Sequence, residues 1–233
     1  MRKTTLIIFL LIGSMAISQA QTLIPKVGIS LSNLQTEDAP GGTEYNSSFK
    51  NGFTLGLACN IPVTAFGDIQ FSLQPEFNYI QKGFNNTSSG EYQIGEQIFE
   101  FHADNKQRIN YIEIPVLAKF EYGFNNIKVG VYAGPSLGFA LSGKFKSESR
   151  VDTGEGIEVY KSEGKIIFYG TDKENTLSMD HNIDFGIQGG AVVTVFDRIS
   201  LDVRYGQSLT NLYHDSKSKN EVLQFTVGVP LKL

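Results

Sequence analysis

The chain has 233 residues, 41% of them hydrophobic and 12% aromatic, with 24 Asp+Glu against 20 Lys+Arg and a formal charge of -4. That balance supplies no basic face for nucleic acid, and a single cysteine, Cys59, excludes an intrachain disulfide, a cysteine-based metal site and a lipid-anchored cysteine at a leader cleavage point. No segment approaches the roughly 20 consecutive apolar residues of a spanning helix, which excludes a helical membrane protein.

Met1-Arg2-Lys3, the apolar run from Leu6 to Ile12 and the small and polar residues through Ser18-Gln19-Ala20 predict a secretory signal peptide over residues 1–20. Its removal takes away Arg2 and Lys3 and brings the formal charge near -6. Residues 21–233 carry no linker or compositional break, so one domain is expected. A weak strand run spans 23–34. Phe53, Leu55, Leu57 and Ile61 then alternate with Thr54, Gly56, Ala58 and Asn60, and Cys59 reads as a small apolar strand residue. The clearest alternation runs from Ile69 to Tyr79, with Ile, Phe, Leu, Pro, Phe and Tyr on one face and Gln, Ser, Gln, Glu and Asn on the other. Its eleven residues match a tilted transmembrane strand better than the usual five or six of a soluble one.

Further strands follow at 108–121, 129–141 (Val129, Val131, Ala133, Leu137, Phe139 and Leu141 against Gly130, Tyr132, Gly134, Ser136 and Gly138) and 182–195. Two more are Ile199, Leu201, Val203 and Tyr205 against Ser200, Asp202, Arg204 and Gly206, and Leu223, Phe225, Val227, Val229, Leu231 and Leu233 against Gln224, Thr226 and Gly228. Short connections at 62–67, 122–126 and 196–198 alternate with longer polar ones at 35–49, 83–105, 143–181 and 213–220, as periplasmic turns and extracellular loops do. The predicted fold class is all-β: an eight-stranded antiparallel up-and-down transmembrane barrel in the outer membrane, both termini periplasmic. Its bulky apolar faces meet lipid and its Gly-rich polar faces line the lumen. Phe120, Tyr122 and Phe124 at one end, and Tyr79 and Phe84 at the other, are the expected aromatic girdles. Pro75, Pro115 and Pro135 lie inside predicted strands, where bulges or non-bonded positions are expected, with a register shift near Pro115.

The stretch Tyr111-Ile112-Glu113-Ile114-Pro115-Val116-Leu117-Ala118-Lys119-Phe120 resembles the "YLEIPLLLKY"-like strand of the PorT-like outer-membrane β-barrel proteins of the Bacteroidota. Tyr132-Ala133-Gly134-Pro135-Ser136, Asp184-Phe185-Gly186 with Gly189-Gly190, and Arg204-Tyr205-Gly206 followed by Leu209-Thr210-Asn211-Leu212 extend the likeness over the mature chain. The resemblance implies an OmpA/OmpX-like eight-stranded barrel and an outer-membrane address, mostly without a defined activity. The ending Leu231-Lys232-Leu233 departs from the aromatic residue on which such barrels often close.

On the inward faces lie Glu76, Glu113, Lys119, Asp184, Asp202 and Arg204. Strand position puts Glu76, Glu113 and Arg204 at similar depth in a lumen that side chains can fill, so an ionic plug is expected with at least one glutamate in salt-bridge reach of Arg204. A proton or ion path is the competing reading. His102, His181 beside Asp180, and His214 beside Asp215 lie in or near the outer loops, but neighbours on a strand face opposite ways, and no nucleophile motif accompanies them. Segment 143–181 reads as a hairpin above the membrane turning at Ser162-Glu163-Gly164, or as a contact surface anchored by Tyr160, Phe168 and Tyr169. Segment 83–105, with Tyr92, Phe99 and Phe101, is expected to extend likewise. No phosphate loop, dinucleotide fingerprint or metal cluster is present, so no cofactor is implied. The expected function is non-enzymatic: loops displayed to envelope or secretion-system proteins, or support of the envelope. A small pore and a rim-catalytic hydrolase are the alternatives.

Overall fold

The computed structural model describes residues 21–36, 43–168, 175–179, 181–211 and 218–232; the predicted signal peptide, Tyr169 and His214 lie outside them. All of the elements are strands: β1 (Thr22–Thr36), β2 (Thr43–Phe66), β3 (Ile69–Ile94), β4 (Gln97–Phe124), β5 (Ile127–Asp152), β6 (Ile157–Phe168), β7 (Thr176–Met179), β8 (Ile183–Val195), β9 (Ile199–Ser208), β10 (Ser218–Gly228) and β11 (Leu231–Lys232). Neighbours pair in the order β1-β2-β3-β4-β5-β8-β9-β10 and β10 returns to β1, which closes a ring of eight antiparallel strands. Closure follows from the solvent: an open edge in hydrocarbon would leave a row of backbone donors and acceptors with no partner.

Residues on the apolar parity point outward. Val131 is 58% exposed and Phe77 55%, whereas Tyr132, Asn78 and Glu76 are buried. The inversion of the soluble rule, large apolar residues out and polar residues in, marks a lipid-facing wall. Phe120, Tyr122 and Phe124 form the periplasmic aromatic rim, with Phe71 against Phe120 at 4.9 Å. At the other edge of the band Phe53 meets Tyr79 at 5.3 Å. Phe84 does not join them. It shares the parity of Ile80 and Lys82 and packs inside the barrel at 2% exposure.

The short connections are tight: Gly67-Asp68, Asn125-Asn126, and Phe196 to Arg198, with positive φ at Gly67, Asn125, Phe196 and Asp197. Lys128 and Lys232 both reach Asp197, each at 2.8 Å, and their hydrogen bonds hold its carboxyl below the usual aspartate range. The long connections continue as sheet, as the hairpin reading of 143–181 and 83–105 expects. β2 to β6 continue as paired strand far above the band, so most of 43–49, 83–105 and 143–168 is sheet. Tyr92 stacking on Phe99 and Thr87 donating to Asp104 hold the β3–β4 extension together. The hairpin after β5 turns at Thr153–Gly156, where Gly154 takes φ +79°, and not at Ser162-Glu163-Gly164. Gly164 is small for another reason: a Cβ there would lie 1.9 Å from the Asn175 carbonyl oxygen.

Pro75, Pro115 and Pro135 leave the register intact, whereas the β2–β3 pairing shifts by one residue between Pro62/Ser72 and Thr64/Phe71. Pairing of β3 with β4 skips from Pro75/Val116 to Asn78/Glu113, and of β4 with β5 from Pro115/Ser136 to Ala118/Ala133, without an offset. Proline there costs local bonds and no shift, because neighbours on both sides keep the strands aligned. The offset predicted near Pro115 occurs instead where Asn110/Ser142 gives way to Tyr111/Ala140, which leaves Leu141 as an extra residue on β5. At this level β5 ceases to pair with β8 and takes up β6.

The wall's orientation predicts how substitutions scale with depth. Val131→Arg, near the middle of the apolar band, is expected to destabilise the barrel by about 2–4 kcal/mol, and Leu209→Arg, at its outer edge, by about 0–1 kcal/mol. Reversible urea unfolding in lipid vesicles measures both, and equal costs would refute the assigned lipid face.

Candidate functional site

The lumen is filled by a layer of charged side chains whose strands alternate around the ring. Lys26 comes from β1, Glu76 from β3, Tyr132 from β5 and Arg204 from β9. Arg204, 1% exposed, grips Glu76 with both terminal nitrogens, Nη1 to Oε2 at 2.7 Å and Nη2 to Oε1 at 2.8 Å. This two-pronged geometry is the strongest form of guanidinium–carboxylate contact. Lys26 Nζ donates to the same Oε2 at 2.5 Å, while Gln74 and Asn78 donate to Glu76 from two residues away on either side. All five acceptor contacts converge on one carboxylate, as a buried anion requires.

The guanidinium is held from its other edge. Arg204 Nε donates to the Tyr132 hydroxyl at 3.1 Å, which in turn donates to Asp202 at 2.5 Å, and the guanidinium carbon stands 4.9 Å from the Tyr132 ring centroid. Gly190 leaves room for that ring, since a Cβ there would come within 2.5 Å of the Tyr132 hydroxyl oxygen. Gln188 joins this layer to a second one: its carbonyl accepts from Arg204 at 3.2 Å and its amide donates to Glu113 at 2.7 Å. Glu113 pairs with Lys82 at 2.7 Å, and Lys82 also reaches Asp184 at 3.1 Å and stands 5.0 Å from the centre of the Tyr111 ring.

Each inward residue expected from the sequence has a definite place. Glu76 and Arg204 pair directly, and Asp202 lies 3.8 Å from Arg204. Glu113 and Asp184 share Lys82, while Lys119 stands apart nearer the periplasm, paired with Glu121 at 2.6 Å. Sequence reasoning missed Lys26, Lys82, Glu121, Tyr132 and Gln188 as members of these contacts. Parity is the available signal for Lys82, which continues the inward series Ser72, Gln74, Glu76, Asn78 beyond the alternation that ends at Tyr79.

Above the ions lies an apolar cap. Leu34, Ile80, Phe84, Ile109, Tyr111, Ala140, Ile166, Met179 and Val222 form one buried cluster, with Phe145, Phe168 and Leu177 packed against it. Phe168 thus belongs to the cap, whereas Tyr160 is exposed on β6 and its hydroxyl donates to Glu158. Below the ions, a vestibule of about 340 Å³ opens among Gln21, Asn60, Lys119, Lys128 and Thr194 at the turn end. Beside Lys82, Glu113 and Asp184 the free volume falls to about 10 Å³. That is close to the minimum for one water molecule.

On the outer sheet, Ser89 pairs across from His102, whose Nε2 lies 3.4 Å from Asp104. No hydrogen bond joins Ser89 to His102 among the described residues, so the serine lacks the contact that would activate it. Among those residues no group of three His, Cys, Asp or Glu side chains is arranged to hold a metal.

Residues 19–214 match the family described as outer membrane protein beta-barrel domain. The chain belongs to this family. It is an outer-membrane β-barrel protein, and its own barrel is the eight-stranded ring described above. Similar solved structures include Ail, the attachment invasion locus protein of Yersinia pestis, at 12% identity and TM-score 0.41 over 92% of this chain and 100% of that one. Others are the outer membrane enzyme PagL, at 11% and 0.42 over 90% and 99%, and OprG from Pseudomonas aeruginosa, at 12% and 0.38 over 92% and 97%. No activity is carried over at such identities. No curated protein matches the chain by sequence.

The central pair sets a quantitative expectation. Arg204→Met leaves Glu76 without its main partner and is expected to cost about 3–5 kcal/mol in urea unfolding. Adding Glu76→Gln should restore part of that loss, and a strictly additive double variant would refute the coupling.

Proposed function

We propose that this protein acts as a closed, non-enzymatic barrel that holds an extracellular sheet in place for contact with envelope or secretion-system proteins. The observation that carries the reading is the lumen: two bridged ionic layers under an apolar cap, with a free volume of about 10 Å³ beside Lys82, Glu113 and Asp184. Strands β2 to β6 leave the membrane as a rigid continuation of the wall, the kind of scaffold on which binding residues concentrate. Tyr160, Val159 and Ile157 are exposed apolar or aromatic residues on its outer strand and would anchor such a contact. The non-enzymatic part of the reading is supported by Ser89 and His102, which are half-buried and share no hydrogen bond among the described residues.

The resemblance of Tyr111–Phe120 and Tyr132–Ser136 to PorT-like barrels supports a finer assignment within the family, and with it a role beside protein secretion or in the integrity of the envelope. Conductance separates the plugged barrel from a pore. The refolded protein is expected to give no sustained current in planar bilayers, and steady single-channel steps would overturn the plug. Photo-crosslinking in cells from positions 157–161 is expected to capture envelope proteins reproducibly; capture of none would remove the display role and leave a structural one.

A further inference from the structure

The outward-facing apolar band ends above in a belt of hydrogen-bonded polar residues. Gln81 donates to Asn110 and Asn110 to Ser142 on one side; Asn33 and Tyr205 both donate to Glu221 on the other. This belt marks the upper edge of the hydrocarbon. The next two outward rows on β4, β5 and β6 are almost wholly cationic: Arg108, Lys144 and Lys165 in the first, Lys106 and Lys146 with Glu163 in the second. Register puts Arg108 opposite Lys144, Lys144 opposite Lys165 and Lys106 opposite Lys146. Like charges directly across a ladder destabilise a sheet, and a chain with an excess of acidic residues has concentrated its cations here.

The protein supplies little to neutralise them. Glu163 is 3.8 Å from Lys146, Arg108 donates to the Asn51 carbonyl and Lys50 to Asn85, while among the described residues Lys106, Lys144 and Lys165 have no carboxylate partner. One level higher the charges compensate one another: Glu148 takes both Arg150 and Lys161, and the bonds from Arg150 and Lys161 lower its pKa. The cationic rows line a surface groove of about 540 Å³, which Lys50 also borders. Two to four residues beyond Asn110 is about 7–13 Å along a strand, and strand tilt reduces the height further. With a tilt of about 35–45° the first row lies in the interfacial layer, which adds roughly 5–7 Å to each side of the hydrocarbon core, and the second row lies just above it.

We propose that this groove binds the phosphate groups of outer-leaflet glycolipid headgroups, with Lys106, Arg108, Lys144, Lys146 and Lys165 as the ligating side chains. An anion seated between the rows would turn three repulsive cross-strand pairs into bridged ones, and the groove's place beside the lipid face selects an anion anchored in the leaflet over one in solution. Arg108 suits forked contact with phosphate oxygens, and the lysines act as point charges around it.

The test uses the refolded barrel in neutral-phospholipid nanodiscs and native mass spectrometry. Bisphosphorylated lipid A is compared with chemically dephosphorylated lipid A, with inorganic pyrophosphate as a soluble competitor. Wild type is expected to retain the phosphorylated lipid at least roughly tenfold better than the dephosphorylated one. Lys106→Gln/Arg108→Gln/Lys144→Gln should lose that preference, whereas Lys219→Gln, on the far side of the barrel, should keep it. Heat-dependent gel mobility reports folding of the variants, and the two-lipid comparison on wild type stands without them. Equal retention of both lipids by wild type, or a preference surviving in the folded triple variant, overturns the proposal. Complete displacement by millimolar pyrophosphate would assign the groove to soluble anions and overturn the lipid source.

Discussion

The two-pronged contact of Arg204 with Glu76 spans the barrel from β9 to β3, strands on opposite sides of the ring. Much of the interior is arranged around it. Taking two charges out of water costs several kcal/mol for each ion, and only dense hydrogen bonding repays it; Lys26, Gln74, Asn78, Tyr132 and Gln188 provide that bonding. The pair contributes specificity as much as stability. A slip of either strand by one residue would turn Glu76 or Arg204 toward lipid, so the network disfavours every register but one.

The period-two pattern made the barrel legible in the sequence. Faces such as Phe53, Leu55, Leu57 and Val129, Val131, Ala133 hold one polarity along a whole strand, and lipid demands that constancy. Partners were less legible, because parity tells which way a residue points and not which strand stands opposite. Arg204 and Glu76 could be placed at one depth by counting from strand ends, but Lys26 lay in a weak run and Lys82 beyond an assumed strand end. Tyr132 was seen only as one inward residue among small ones.

The height of the wall was hidden for a related reason. Above the belt, both faces of β3 and β4 are polar or mixed, as in Asn85-Asn86-Thr87-Ser88-Ser89, so strand leaves no alternation to read. Cross-strand pairing and the Tyr92–Phe99 stack hold these residues extended against their modest propensity. The same change of solvent explains Phe84 and Phe168, aromatic residues that the pattern assigns to a girdle or a loop surface and that pack instead in the cap.

The extra residue at Leu141 marks the level at which the wall becomes uneven. Where β5 leaves β8 and joins β6, the closed ring becomes a one-sided sheet, tall over β2 to β6 and low over β8 to β10. A barrel of even height looks alike to its neighbours from every direction in the plane. This one has a front and a back, so lateral neighbours can tell its orientation, and rotation about the membrane normal becomes a coordinate on which crowding and packing act.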